Sequence, residues 1–98
     1  MIDFDAVPFR LMRFKYGVPI MLLLLTEGPM YKNLIRKTLG AEDPPVTHAI
    51  AFMIECGFVI EHHNPNGCRI KSRYSLTSKG EQYAHVIKTA VNQLIQFS

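Results

Sequence analysis

Apolar and polar positions alternate most informatively over residues 44–59, Pro-Pro-Val-Thr-His-Ala-Ile-Ala-Phe-Met-Ile-Glu-Cys-Gly-Phe-Val, where the spacing predicts an amphipathic helix that stops at a glycine and runs into a strand. Val46, Ile50, Met53 and Ile54 recur at helical spacing and make one apolar face, while Thr47, His48, Ala51, Phe52 and Glu55 fall on the other. The end signals agree with this reading. Asp43 is placed to cap the first turn, a proline suits a first helical position whose N–H has no partner anyway, and Gly57 suits the left-handed residue beyond the C-terminus.

The same pattern predicts the other elements. Residues 5–16 carry Val7, Leu11 and Phe14 at spacings of four and three, with Arg10, Arg13 and Lys15 between them, before Gly17 interrupts a leading helix. Pro19 opens a second helix that is apolar nearly all round through Leu22-Leu23-Leu24-Leu25 to Thr26, as a helix covered on several sides should be; Glu27-Gly28-Pro29 ends it. Over 30–39, Met30, Leu34, Ile35 and Leu39 oppose Lys32, Arg36 and Lys37, and Gly40 is the stop. Residues 58–63 are rich in β-branched and aromatic side chains, and Asn64-Pro65-Asn66-Gly67 is a strong turn signal, so a hairpin follows. Its return arm, 68–76, points Cys68, Ile70, Ser72, Tyr74 and Leu76 one way and Arg69, Lys71, Arg73 and Ser75 the other, which gathers three cations on one strand face. Thr77 or Ser78 begins a long helix that reaches about residue 97, with Ser78-Lys79-Gly80-Glu81 matching a capping box.

This order is that of a winged helix domain, mainly α with a small β-hairpin (α+β). The reading is one domain over 1–98: leading helix 5–16, core and wing 18–77, and a dimerisation helix 78–97. In that last helix Tyr83, Ile87, Ala90, Leu94 and Phe97 recur at alternating spacings of four and three, widened by Val91 and Ile95. A small core cannot cover so long a stripe, which points to a homodimer seam shared with the leading helix; the alternative is a helix folded back across its own domain.

Composition narrows the function classes. At 98 residues and 48% hydrophobic, the chain has room for one core and little for a deep private pocket, which argues against a monomeric enzyme. There is no Gly-rich phosphate loop, no nucleophile elbow and no acidic pair placed with a histidine, so no enzymatic activity is expected. A formal net charge of +3 permits an anionic partner without demanding one. Two cysteines make no disulfide framework, and a reducing cytoplasm is the default compartment. A Cys56–Cys68 bridge is disfavoured, because one residue precedes the hairpin base and the other lies near its tip, roughly 15 Å away at strand rise against a Cα limit of about 7 Å. The apolar run 18–25 is far shorter than the roughly 20 residues of a membrane span, and Asp3, Asp5 and Glu27-Gly28-Pro29 do not fit a secretory signal. His62, His63, Cys56 and Cys68 are the candidate metal ligands, but neighbouring histidines on a strand face opposite ways and no second ligand cluster exists, so no metal site and no cofactor are expected.

Three segments carry a family resemblance. Thr47-His48 ahead of Cys56-Gly57-Phe58-Val59 resembles the Ser/Thr-Arg…Gly-Leu-Val/Ile pattern of MarR-like and PadR-like winged helix regulators. Arg73-Tyr74-Ser75-Leu76-Thr77-Ser78-Lys79-Gly80 resembles the segment that closes their wing and opens the next helix, and Leu25-Thr26-Glu27-Gly28-Pro29-Met30-Tyr31 is similar to the junction between the first two PadR helices. Together they span about residues 18 to 80 in the right order. The resemblance implies a dimeric transcription regulator of double-stranded DNA, with Pro45, Thr47, His48, Ala51 and Phe52 in a major groove and Lys32, Arg36, Arg69, Lys71 and Arg73 on the backbone. Two departures stand out. The family usually has Arg at the position of His48 and often another cation near Phe52, whereas here Glu42, Asp43 and Glu55 add negative charge; a reader this apolar favours A/T-rich sites. Two rivals stay open: a winged helix used for protein association, supported by an exposed Phe52, and a sensor with an effector pocket between the long helices and the DNA-binding core, whose ligand composition does not reveal.

Overall fold

The computed structural model describes residues 2–63 and 72–98. Its elements are α1 (Val7–Met12), α2 (Gly17–Glu27), β1 (Met30–Tyr31), α3 (Lys32–Leu39), α4 (Asp43–Glu55), β2 (Val59–His62), β3 (Arg73–Leu76) and α5 (Ser78–Gln96). The three strands form an antiparallel sheet in the order β1-β3-β2, with Met30 opposite Tyr74, Tyr31 opposite Arg73 and Val59 opposite Leu76. This is the expected α+β winged helix arrangement with one strand added.

That added strand is β1, which pattern reading had merged into a helix over 30–39. Two residues are too few to show an alternation, and the strand exists because Met30 and Tyr31 pair with β3 rather than with each other's helical neighbours. The leading helix is also shorter than 5–16. It ends at Met12, and the chain turns through 13–16 because α2 begins pressed against it: a Cβ at Gly17 would lie 2.7 Å from the Leu11 carbonyl oxygen. Pro19 is then third in α2, still within the turn whose N–H groups have no helical partner.

α2 is the central rod. Ile20, Met21 and Leu24 are buried together with Ile35 of α3, Met53 of α4, Phe58 and Ala84 of α5. Each of the larger side chains among these contributes about 1.5–3 kcal/mol by leaving water, so the core holds the outer helices in place.

α4 and α5 are fixed at their ends by short-range hydrogen bonds. Gly57 adopts φ 79°, and the Phe58 and Gly57 amides donate to the Met53 and Ile54 carbonyls at 2.9 and 3.0 Å, a double C-terminal closure that needs a left-handed residue. At the other end Asp43 does not cap α4. Glu42 is the extended residue before the helix, Asp43 is the first residue within it, and its carboxylate turns to side chains instead. α5 is capped by Thr77 rather than through a Ser78–Glu81 box: Thr77 Oγ1 accepts from the Gly80 amide at 3.0 Å and donates to the Gly57 carbonyl at 2.6 Å, which ties the start of α5 to the end of α4.

The division of α4 into faces also needs correction. Val46, Ala49, Ile50, Phe52 and Met53 are buried, and Ile54 is 39% exposed. Phe52, expected on the outward face, is only 7% exposed: its ring lies 5.1 Å from that of Phe14, with the Arg10 guanidinium 5.0 Å over it. The cause is the leading segment, which lies against α4 and widens its buried sector on that side. Among the described residues no helix is long and apolar enough to cross a membrane.

Candidate nucleic-acid interface

With Phe52 withdrawn, the outward surface of α4 consists of Thr47, His48 and Ala51, exposed, with Pro45 half-buried at its start and Ile54 and Glu55 at its far end. The Schellman-type closure at Gly57 directs the chain straight into β2, so the hairpin stands beside this surface. Between them lies a cleft of about 190 Å³ lined by Lys32, Thr47, Ile50, Ala51, Ile54, Glu61 and Tyr74. Three elements therefore meet here: the start of α3, the open face of α4 and the base of the wing.

The polar groups of the cleft are wired together. Lys32 Nζ is 3.0 Å from Asp43 Oδ1 and donates to Thr47 Oγ1 at 3.4 Å, while the Thr47 hydroxyl donates to the same Asp43 oxygen at 2.9 Å. The Lys32 hydrogen bond, followed by that from Thr47, holds the Asp43 carboxyl below its ordinary value. On the wing side the Tyr74 hydroxyl donates to Glu61 Oε2 at 2.8 Å, and His63 Nε2 sits 3.1 Å from Glu61 Oε1. Tyr74 therefore lowers the Glu61 carboxyl, and burial together with the Glu61 acceptor pushes the Tyr74 phenol up to about 12. His62 Nε2 is 2.7 Å from Ser75 Oγ across the strand pair. These bonds cross-brace the hairpin base.

The cations are distributed as follows. Lys32 is engaged as described; Arg36 is half-buried, with its Nε enclosed and without a hydrogen-bond partner among the described residues. Arg73 is exposed at the start of β3, and Tyr74, Ser75 and Leu76 after it are all half-buried, Tyr74 and Leu76 packing against the core. Arg69 and Lys71 lie outside the described residues, as does Cys68. Among the described residues no three His, Cys, Asp or Glu side chains are grouped as a metal site would require.

Sequence reasoning did not single out Asp43, Glu61 and Tyr74 as parts of this site. For Asp43 a signal was present, because Asp and Thr four apart on a helix share a face; for Glu61 and Tyr74 the pairing depends on strand register, which places them directly opposite.

The stripe along α5 divides in two. Tyr83 and Ile87 pack against their own domain, the Tyr83 ring stacking on Phe58 at 4.5 Å. Val91 is half-buried and Ala90 exposed, and Leu94, Ile95 and Phe97 are 66%, 63% and 87% exposed. Only the distal half of the stripe is thus open to another molecule.

No family model matches the sequence, and no curated protein matches it significantly. Solved structures do match in fold. A transcriptional regulator homologue from Pyrococcus horikoshii superimposes with a TM-score of 0.74 at 17% identity, covering 89% of this chain and 86% of that one. The reduced form of the transcriptional regulator YodB from Bacillus subtilis gives 0.75 at 19% identity over 99% and 94% of the two chains. NMB1585, a MarR family regulator from Neisseria meningitidis, gives 0.69 at 19% identity, and there the match covers 84% of this chain but 58% of the other. From the added strand to the long last helix, then, this chain has the winged helix fold found in these transcriptional regulators, a MarR family member among them.

Proposed function

We propose that this chain is a winged helix transcription regulator, a binding protein rather than an enzyme, that works in the cytoplasm as a homodimer on double-stranded DNA. The observation that carries the reading is the open face of α4, a short hydrogen-bonding edge of Thr47 and His48 beside Ala51, set between Lys32 and Arg36 of α3 and Arg73 of the wing. Hydroxyl, imidazole and methyl groups on a helix suit base edges and thymine methyls, and flanking cations suit phosphates. The exposed end of α5, with Leu94, Ile95 and Phe97, supports the dimer, which would present two α4 helices to half-sites about one turn of DNA apart. Burial of Phe52 removes the feature that best supported a protein-association module.

Binding of labelled duplex DNA, random in sequence, followed by fluorescence anisotropy across a salt series, tests this reading. Wild-type affinity should fall steeply with salt, and Arg73→Ala or Arg69→Ala should each flatten the log–log slope by about one unit, the share of one phosphate. Absence of salt-dependent duplex binding near physiological ionic strength would defeat the proposal. Selection of bound fragments from the same pool should return a palindrome if the dimer is correct.

A further inference from the structure

We propose that Asp43 is a selectivity residue of this surface: its carboxylate keeps Lys32 and Thr47 in an internal contact that a DNA phosphate must replace, which weakens sequence-independent binding. The inference rests on the DNA-binding reading above and concerns its regulation by one side chain.

Asp43 Oδ1 lies 3.0 Å from the Lys32 ammonium and accepts from the Thr47 hydroxyl at 2.9 Å. An ammonium and a hydroxyl converging on one anionic oxygen is the arrangement a phosphate oxygen would find on a DNA-binding face, and here it is already filled by the protein's own carboxylate. The geometry is built into the chain rather than incidental. Asp43 and Thr47 are one turn apart on α4, and Lys32 is the first residue of α3, fixed by the pairing of the preceding Tyr31 with Arg73. Glu61, held by Tyr74, lines the same cleft and adds a second negative charge near Lys32.

Two consequences follow. Phosphate contacts add affinity for every sequence alike, so a lysine that must first leave a carboxylate adds less to non-cognate binding than a solvated one. A base contact in which Thr47 donates likewise requires that its hydroxyl leave Asp43, so a site that replaces both bonds recovers their loss. Discrimination is a difference between affinities: the Lys32 penalty falls on every sequence, and the Thr47 bond to Asp43 makes it selective, because only a base that takes over that bond offsets its loss.

The test compares wild type, Asp43→Asn, Lys32→Met and the double variant, as full chains, by anisotropy with a random-sequence duplex between 50 and 200 mM salt. Asp43→Asn should bind more tightly at the lowest salt and show a slope steeper by about 0.9, so that its affinity falls an additional three- to fourfold over this range. In the Lys32→Met background the same substitution should leave the slope unchanged. If Asp43→Asn has the wild-type slope, or if its steepening persists without Lys32, the internal contact is not the cause and the inference falls while the DNA-binding reading stands. If no variant binds duplex at all, the DNA-binding reading falls and takes this inference with it. Asp43→Ser, which likewise removes the carboxylate, carries the same test should the asparagine variant fold poorly.

Discussion

Gly80→Ala should destabilise the protein although alanine is the better helix former. Gly80 is buried in the first turn of α5, directly over the backbone of Phe58: an added Cβ would collide with the Phe58 carbonyl oxygen and sit 2.9 Å from its carbon and 3.1 Å from its Cα. Those atoms cannot swing aside as a side chain would. Phe58 is 2% exposed, its ring is stacked on Tyr83, and its carbonyl accepts from the Thr77 amide at 2.9 Å. Helix propensity favours alanine by about 1 kcal/mol. Overpacking against a fixed neighbour costs about 1–3 kcal/mol. Parting the Thr77–Phe58 hydrogen bond to make room costs about 1 kcal/mol more. The net loss of about 2 kcal/mol corresponds to a fall in Tm of about 10 °C for a domain of this size. Circular dichroism melts of wild type and variant at one fixed protein concentration read this directly, the fixed concentration removing any effect of self-association. An unchanged or higher Tm would refute the close approach, because propensity would then have acted alone.

Three further outcomes are expected. Phe52→Ala should cost about 3–4 kcal/mol in urea denaturation, since it empties a site between Phe14 and Arg10; a loss below about 1 kcal/mol, the range of ordinary surface substitutions, would return the ring to the surface. Tyr74 should ionise near pH 12 in an absorbance titration, and Tyr74→Phe should remove that step. Because its folded value is raised, the folded protein holds this proton more tightly than the unfolded chain; the contribution is whole below about pH 10 and is lost between 10 and 12. If the proposed dimer forms through the distal end of α5, Leu94→Asp should keep the helical circular dichroism spectrum and shift sedimentation from dimer to monomer; a variant that sediments like wild type would remove that end of α5 from the interface.

The parts of the molecule legible in the sequence were those with enough length to repeat. α2, α4 and α5 each span three turns or more, and their periodicity survives local exceptions. The stops at Gly40 and Gly57 were legible because both have positive φ, which few other residues tolerate. What escaped was set by neighbours distant in sequence. β1 is only two residues long and exists through its pairing with β3. Phe52 and Ile54 lie on opposite borders of the buried sector of α4, and which border is covered depends on where the leading helix lies, something a helical pattern cannot encode. Asp43 and Thr77 show the same limit at one-residue scale, because a capping signature tolerates a shift that only the backbone geometry resolves.

The short strand β1 gives the molecule a ruler. Tyr31 is paired with Arg73 in the sheet, and Lys32, the next residue, begins α3, so the backbone positions of a helix cation and a wing cation are linked through a single inter-strand register. β3 is held on both sides, by β1 and by β2, rather than hanging from the hairpin alone. The ends of β2 and β3 braced in this way have already surrendered backbone freedom, and the entropy of ordering them is charged to folding. Of Met30 and Tyr31, only one directs its N–H into an antiparallel ladder with β3, and proline at that position would remove the donor and loosen the link between α3 and β3.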